Sequence, residues 1–157
     1  MRLTECVQTL ARHLYLRPGR TQAVASRLQD AGALSKTEGS RRYPDNVSHD
    51  EIVTLFIASI TDTSLGGAAD TAHAFAALTD PEGTPFRQAV ADMLFGEDIP
   101  TGDVAIYFNP PAATIAIDGD VVVFGASEPA AGAVSARLIG APTIEALAAD
   151  LSKERHD

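Results

Sequence analysis

Arg20, Thr21 and Gln22 stand in a row directly after Arg17-Pro18-Gly19, and Ser26 and Arg27 follow about one turn later. A Pro-Gly break followed by apolar residues at helical spacing puts these side chains on the first turns of a helix. Glutamine can hold an adenine edge through two hydrogen bonds and arginine a guanine edge. A helix start also favours a phosphate. Three further cations, Lys36, Arg41 and Arg42, lie in the next polar stretch. On a short hairpin they would flank a duplex, where a cation meets phosphate or a narrow minor groove. Taken singly, each of these charges reads as solvated. Taken together, on a turn, a helix start and a basic arm, they read as one face toward double-stranded DNA.

Other chemistries do not assemble from the residues present. His13, His49, His73 and His156 show no metal-ligand spacing. His13 and His49 are expected on helix surfaces and His73 half-buried in an Ala-rich helix. Cys6, beside Val7, reads as a small core or boundary residue, since a catalytic role would need a base that the sequence does not single out. Gly66-Gly67 is not followed by Lys and Ser or Thr, so it makes no phosphate loop. Asp92, Glu97, Asp98, Asp103, Asp118 and Asp120 fall at helix ends and turns, where carboxylates cap and close the backbone. Asp118-Gly119-Asp120 is a fragment of a calcium loop without the rest of its pattern. The expectation is a protein that is not an enzyme and uses no cofactor and no metal.

The chain of 157 residues has a net charge of −9, which by itself argues against nucleic acid. The average conceals a split. Residues 1–45 carry eight basic and four acidic groups, whereas 46–157 carry four basic and seventeen acidic. Such asymmetry points to two parts with different partners. Apolar residues make up 45% of the chain, enough for a core, and much of that fraction is alanine. No apolar run approaches the ~18–20 residues that cross a bilayer, and no signal peptide is read at the N-terminus. A lone cysteine forms no internal disulfide, which favours a reducing cytoplasm.

The elements that must position these residues follow from periodicity. Leu3, Val7, Leu10 and Leu14 give a first helix, with Thr4 as its cap. A second helix starts near Arg20 or Thr21, turns Val24, Leu28 and Ala31 inward, and stops at Gly32 in a left-handed cap. Ser35 to Tyr43 reads as a hairpin with a basic returning arm. Ser48 and Glu51 form a capping box for a third helix lined by Ile52, Leu55, Phe56 and Ser59, with Val47 as a staple. Thr61 to Gly67 is expected to be a linker. Ala68–Leu78 and Phe86–Phe95 are expected helices. Val104–Phe108, Ala113–Ile117, Val121–Phe124 and Ala133–Ile139 are expected strands, with a tight turn at Asp118-Gly119. Ile144–Lys153 closes the chain as a helix.

Helix, tight turn, helix, hairpin and helix within 60 residues is the layout of a winged helix-turn-helix. The segments Val24 to Leu34, Ser40 to Pro44 and Ser48 to Ile52 resemble the N-terminal DNA-binding domain of the MerR family of regulators, over about residues 3–60. The matching steps are Gly32-Ala33-Leu34, Arg41-Arg42-Tyr43 and the helix start at Ser48. The family's paired aromatics in the recognition helix are absent. Gly66-Gly67 interrupts where its long dimerising helix would run. With Cys6 alone, metal sensing of that family's type is not implied. Small phage- or prophage-borne DNA-binding proteins with one such domain and a variable tail are similar in general plan.

The expected fold is α+β: a winged helix-turn-helix over residues 1–62, then, over 66–157, two helices, a small antiparallel sheet and a final helix. The resemblance and the charge pattern together imply a sequence-specific DNA-binding protein, a transcriptional regulator. It would pair through residues 66–157 as a homodimer, because one small module reads few base pairs. The acidic part could also dock another protein. The rival reading is a phage assembly or DNA-packaging component, similar to a small terminase subunit, or a protein–protein interaction module.

Overall fold

A computed structural model describes residues 1–36, 46–97, 100–126 and 135–153. It is an α+β fold: several N-terminal helices, an open four-stranded antiparallel sheet and one C-terminal helix. The helices are α1 (Leu3–His13), α2 (Pro18–Asp30), α3 (His49–Thr61), α4 (Ala68–Ala76), α5 (Phe86–Phe95) and α6 (Ala141–Lys153). The strands are β1 (Asp103–Phe108), β2 (Pro111–Ile117), β3 (Asp120–Gly125) and β4 (Ala136–Ile139).

Local signals set most boundaries. The Arg2 N–H donates to the Glu5 carboxylate at 2.6 Å, so α1 starts at Leu3 with Arg2 as its cap instead of Thr4. Pro18 occupies the first turn of α2, where its missing N–H costs nothing, and α2 therefore begins before Arg20. Gly32 ends α2 at φ +75°, with the Ala33 N–H reaching back to the Leu28 carbonyl. Ala31 is exposed, so the inward face of α2 is Thr21, Val24, Ala25 and Leu28. The expected capping box is present: the Glu51 N–H donates to Ser48 Oγ at 3.2 Å and the Ser48 N–H to the Glu51 carboxylate at 2.8 Å. Between α3 and α4 the chain makes a single short 3-10 turn, Leu65–Gly67.

The three-strand meander β1-β2-β3 closes on Asp118 and Gly119, at φ +51° and +92°, the conformations that a two-residue hairpin turn of this hand demands. β4 then pairs with β1, which gives the order β3-β2-β1-β4, a Greek-key arrangement. One face of the sheet turns Val104, Ile106, Ala113, Ile115 and Phe124 into the core. There Phe75 of α4 meets Phe108 edge-on at 5.9 Å, and Phe86 of α5 meets Phe124 at 5.3 Å. α6 packs on α1 and α5, and α3 packs on α1, α2, α4 and α5. One apolar cluster therefore runs from Cys6 and Val7 through Phe56 to Leu151, across both segments that the sequence separates. No helix among the described residues is long and apolar enough to cross a membrane.

Candidate functional site

The outward side of α2 is where the sequence places its recognition residues, and the structure divides them into two groups. Gln22 is half-buried, and Ser26 and Arg27 are exposed, opposite the sealed face of Val24, Ala25 and Leu28. Ser26 Oγ donates to the Gln22 carbonyl at 3.1 Å, a back-bond within the helix that leaves the hydroxyl oxygen available as an acceptor. Arg27 has no acidic partner among the described residues. Lys36 lies 3.4 Å from Asp30, both strongly exposed, a contact worth little in water. Arg41 and Arg42, with the expected hairpin, lie outside the described residues. The chain that follows that segment is tied to the N-terminus: Arg2 and Asn46 form an antiparallel bridge, and the Val47 N–H donates to the Met1 carbonyl at 3.0 Å.

Thr21 faces the core, and Arg20, exposed, is claimed by the end of α3. Thr21 is 1% exposed, and its hydroxyl donates to the Arg17 carbonyl at 3.4 Å, so it locks the first turn of α2. Arg20 donates through Nε and Nη2 to the two carboxylate oxygens of Asp62, at 2.6 and 2.9 Å. Those hydrogen bonds to Asp62 raise the guanidinium's pKa against a smaller opposing effect of burial. The pair is bidentate, the geometry that fits a planar guanidinium to a carboxylate. Asp62 is 9% exposed and lies just past the end of α3. Arg137 of β4 completes the joint. It donates to the carbonyls of Ser59, Ile60 and Asp62 and lies 5.5 Å above the Phe108 ring. A guanidinium thus satisfies the last carbonyls of α3, which lack partners within the helix. Sequence reading missed this arrangement because Arg20 and Asp62 are 42 positions apart and Arg137 is 75 beyond Asp62. Its one local trace is Asp62 itself, an acid at a helix C-terminus, where the dipole disfavours it.

A second ionic joint fastens α1 to α6. Asp150 accepts from Arg12 Nη2 and from His13 at 2.9 Å each, and from Lys153 at 3.1 Å. The His13 and Lys153 hydrogen bonds hold its carboxyl below the usual aspartate range. His13 is thereby part-buried, whereas His73, expected half-buried, is exposed. Cys6 is fully buried in the core, as its neighbours implied. Among the described residues, no three His, Cys, Asp or Glu side chains lie close enough to share a metal ion. In comparisons with known proteins, no family model, no curated protein and no solved structure matches this chain.

Proposed function

We propose that this chain is a sequence-specific double-stranded DNA-binding protein, a transcriptional regulator whose first segment, residues 1–62, acts as a winged helix-turn-helix. The observation that carries the reading is the outer face of α2. Ser26 and Arg27 lie exposed along it with Gln22 half-buried beside them, on a helix whose other face is fixed in the core. A rigid helix with polar side chains free on one side is what entry into a major groove requires. The short turn from α1 to α2 and the bridge between Arg2 and Asn46, which ties the chain after residues 37–45 to the start of α1, also support it. In this reading Gln22 and Arg27 meet base edges, and Lys36, Arg41 and Arg42 hold phosphates. Arg20 and Thr21 set the angle of α2 and do not read bases. The acidic segment, residues 66–157, faces away from DNA, pairs two copies and gives the half-site spacing. The buried Cys6 suits a cytoplasmic setting.

The test is binding of the full chain to a fluorescent duplex across a salt series. Binding at low salt should weaken steeply as salt rises, with a log–log slope of about −0.9 per phosphate neutralised. Sedimentation at tens of micromolar should show a dimer, because a Kd of ~1 μM would leave few monomers there. No binding at low salt overturns the reading. A second reading, a protein-docking module, is favoured by the outer face of the sheet. There Leu138 is 78% and Val121 58% exposed, with Ala105, Thr114 and Val123 between. A monomer that fails to bind DNA would make it the better account.

A further inference from the structure

Three of the chain's arginines converge on one groove. Arg17, Arg20 and Arg137 line an open cleft of about 390 Å³ between the start of α2, the end of α3 and β4. Asp62 is the sole carboxylate among its lining residues, and both its oxygens are already engaged by Arg20. Two of the three guanidinium groups are fixed in advance, Arg20 by Asp62 and Arg137 by the carbonyls at the end of α3. Arg17 is exposed and has no acidic partner among the described residues. The backbone does not supply the donors. The N–H groups of Arg20 and Thr21 both fold back onto the Arg17 carbonyl, at 2.9 and 3.1 Å. Local positive charge of this kind, in a chain of net charge −9, is the opposite of its general surface.

Tyr15 forms the lip of the same groove. It is 94% exposed and sits at φ +52°, a left-handed conformation that a bulky residue adopts at a cost. An aromatic ring held in solvent beside preset guanidinium groups matches a planar base next to a phosphate. Base–aromatic stacking is tolerant of sequence, and arginine is the residue suited to phosphate.

We propose that this groove is a nucleotide-phosphate site: the arginines take the phosphate, with Arg17 closing over it, and Tyr15 takes the base. The site does not depend on the outer face of α2. The phosphate can come from a duplex backbone or from a free nucleotide, and the two sources are separable. Full-length protein would be titrated by NMR with inorganic phosphate and with deoxyadenosine monophosphate, then with duplex DNA in competition. We expect both small probes to shift resonances of residues 15–24, 59–63 and 137, with millimolar affinity. Arg17→Ala should weaken both about tenfold, the loss of one charged contact. Tyr15→Gly, which fits the backbone angle at that position, should weaken the nucleotide several-fold and leave inorganic phosphate unchanged. Arg87→Ala, on α5 and outside the lining of the groove, should alter neither. If duplex displaces the nucleotide and Arg17→Ala weakens both, the source is the DNA backbone. If nucleotide binds and duplex does not, the groove serves a free nucleotide, and the DNA-binding proposal fails while this one stands. If neither small probe shifts those resonances, or Arg17→Ala binds both as tightly as the parent, the site does not exist, whatever the duplex does.

Discussion

Helices α2 and α3 are both thirteen residues long, yet they have opposite fates. In α3, nine side chains are buried, with every position from Ile52 to Thr61 enclosed except the half-buried Thr54. In α2, only Thr21, Val24, Ala25 and Leu28 are buried. The difference lies in neighbours: α3 is surrounded by α1, α2, α4 and α5, whereas α2 packs on one side and meets solvent on the other. A helix committed all round can only hold the fold together. A helix fixed on one face can present the other. Change in α3 should therefore appear as lost stability, and change on the outer face of α2 as altered binding with stability intact.

The largest effect is expected at Phe56, fully buried in the middle of α3. Phe56→Ala should cost about 3–5 kcal/mol in chemical denaturation, the transfer loss plus the cavity left behind. Ser26→Ala on the outer face of α2 should stay within about 0.5 kcal/mol of the parent. Comparable losses at the two sites would break the contrast. Next comes recognition. Gln22→Ala should cost about 1–3 kcal/mol on a selected duplex and relax its sequence preference. Lys36→Ala should weaken all duplexes alike and lower the salt slope by about one. Fluorescence anisotropy on the selected and a scrambled duplex reads both, and equal loss of preference in the two variants would mean that α2 is not the reading helix. Smaller still is the cap of α3. Ser48→Ala removes the oxygen that accepts the Glu51 N–H and should cost about 1 kcal/mol, with no change in DNA binding.

Glu51 is the seam between the two helices. Its carboxylate accepts from the Ser48 N–H at the start of α3 and from the Ser35 N–H beyond the end of α2, the latter at 2.7 Å. Burial alone would push its pKa up, but the Ser48 and Ser35 hydrogen bonds outweigh that and bring it below the ordinary 4.5. A depressed acid stabilises the fold fully above its unfolded pKa and loses that contribution as the pH falls through the folded value. Stability should therefore drop below about pH 4.5, and Glu51→Gln should flatten that part of the profile in thermal melts taken across acid pH. An unchanged profile would show that the seam holds without charge.

Signals confined to a few consecutive residues were legible in the sequence. Ser48 with Glu51, Gly32 after α2, Asp118-Gly119 between β2 and β3, and the apolar spacing that gives α5 as Phe86–Phe95 each act within one turn. The backbone there is decided by nearby sterics and hydrogen bonds. Likewise the charge split, the lone cysteine and the short apolar runs that become β1 and β2 are properties of the chain as written. Only the tertiary structure decided that β4 joins β1 instead of β3, since a period of two says which face a residue takes but not which strand lies beside it. The burial of α3 on all sides was also invisible to periodicity, because its enclosure comes from four other helices. The same holds for Arg20. Its position in the chain suits a reader of bases, but a buried carboxylate 42 residues away claims it, because a charge taken out of water must find its partner inside the fold.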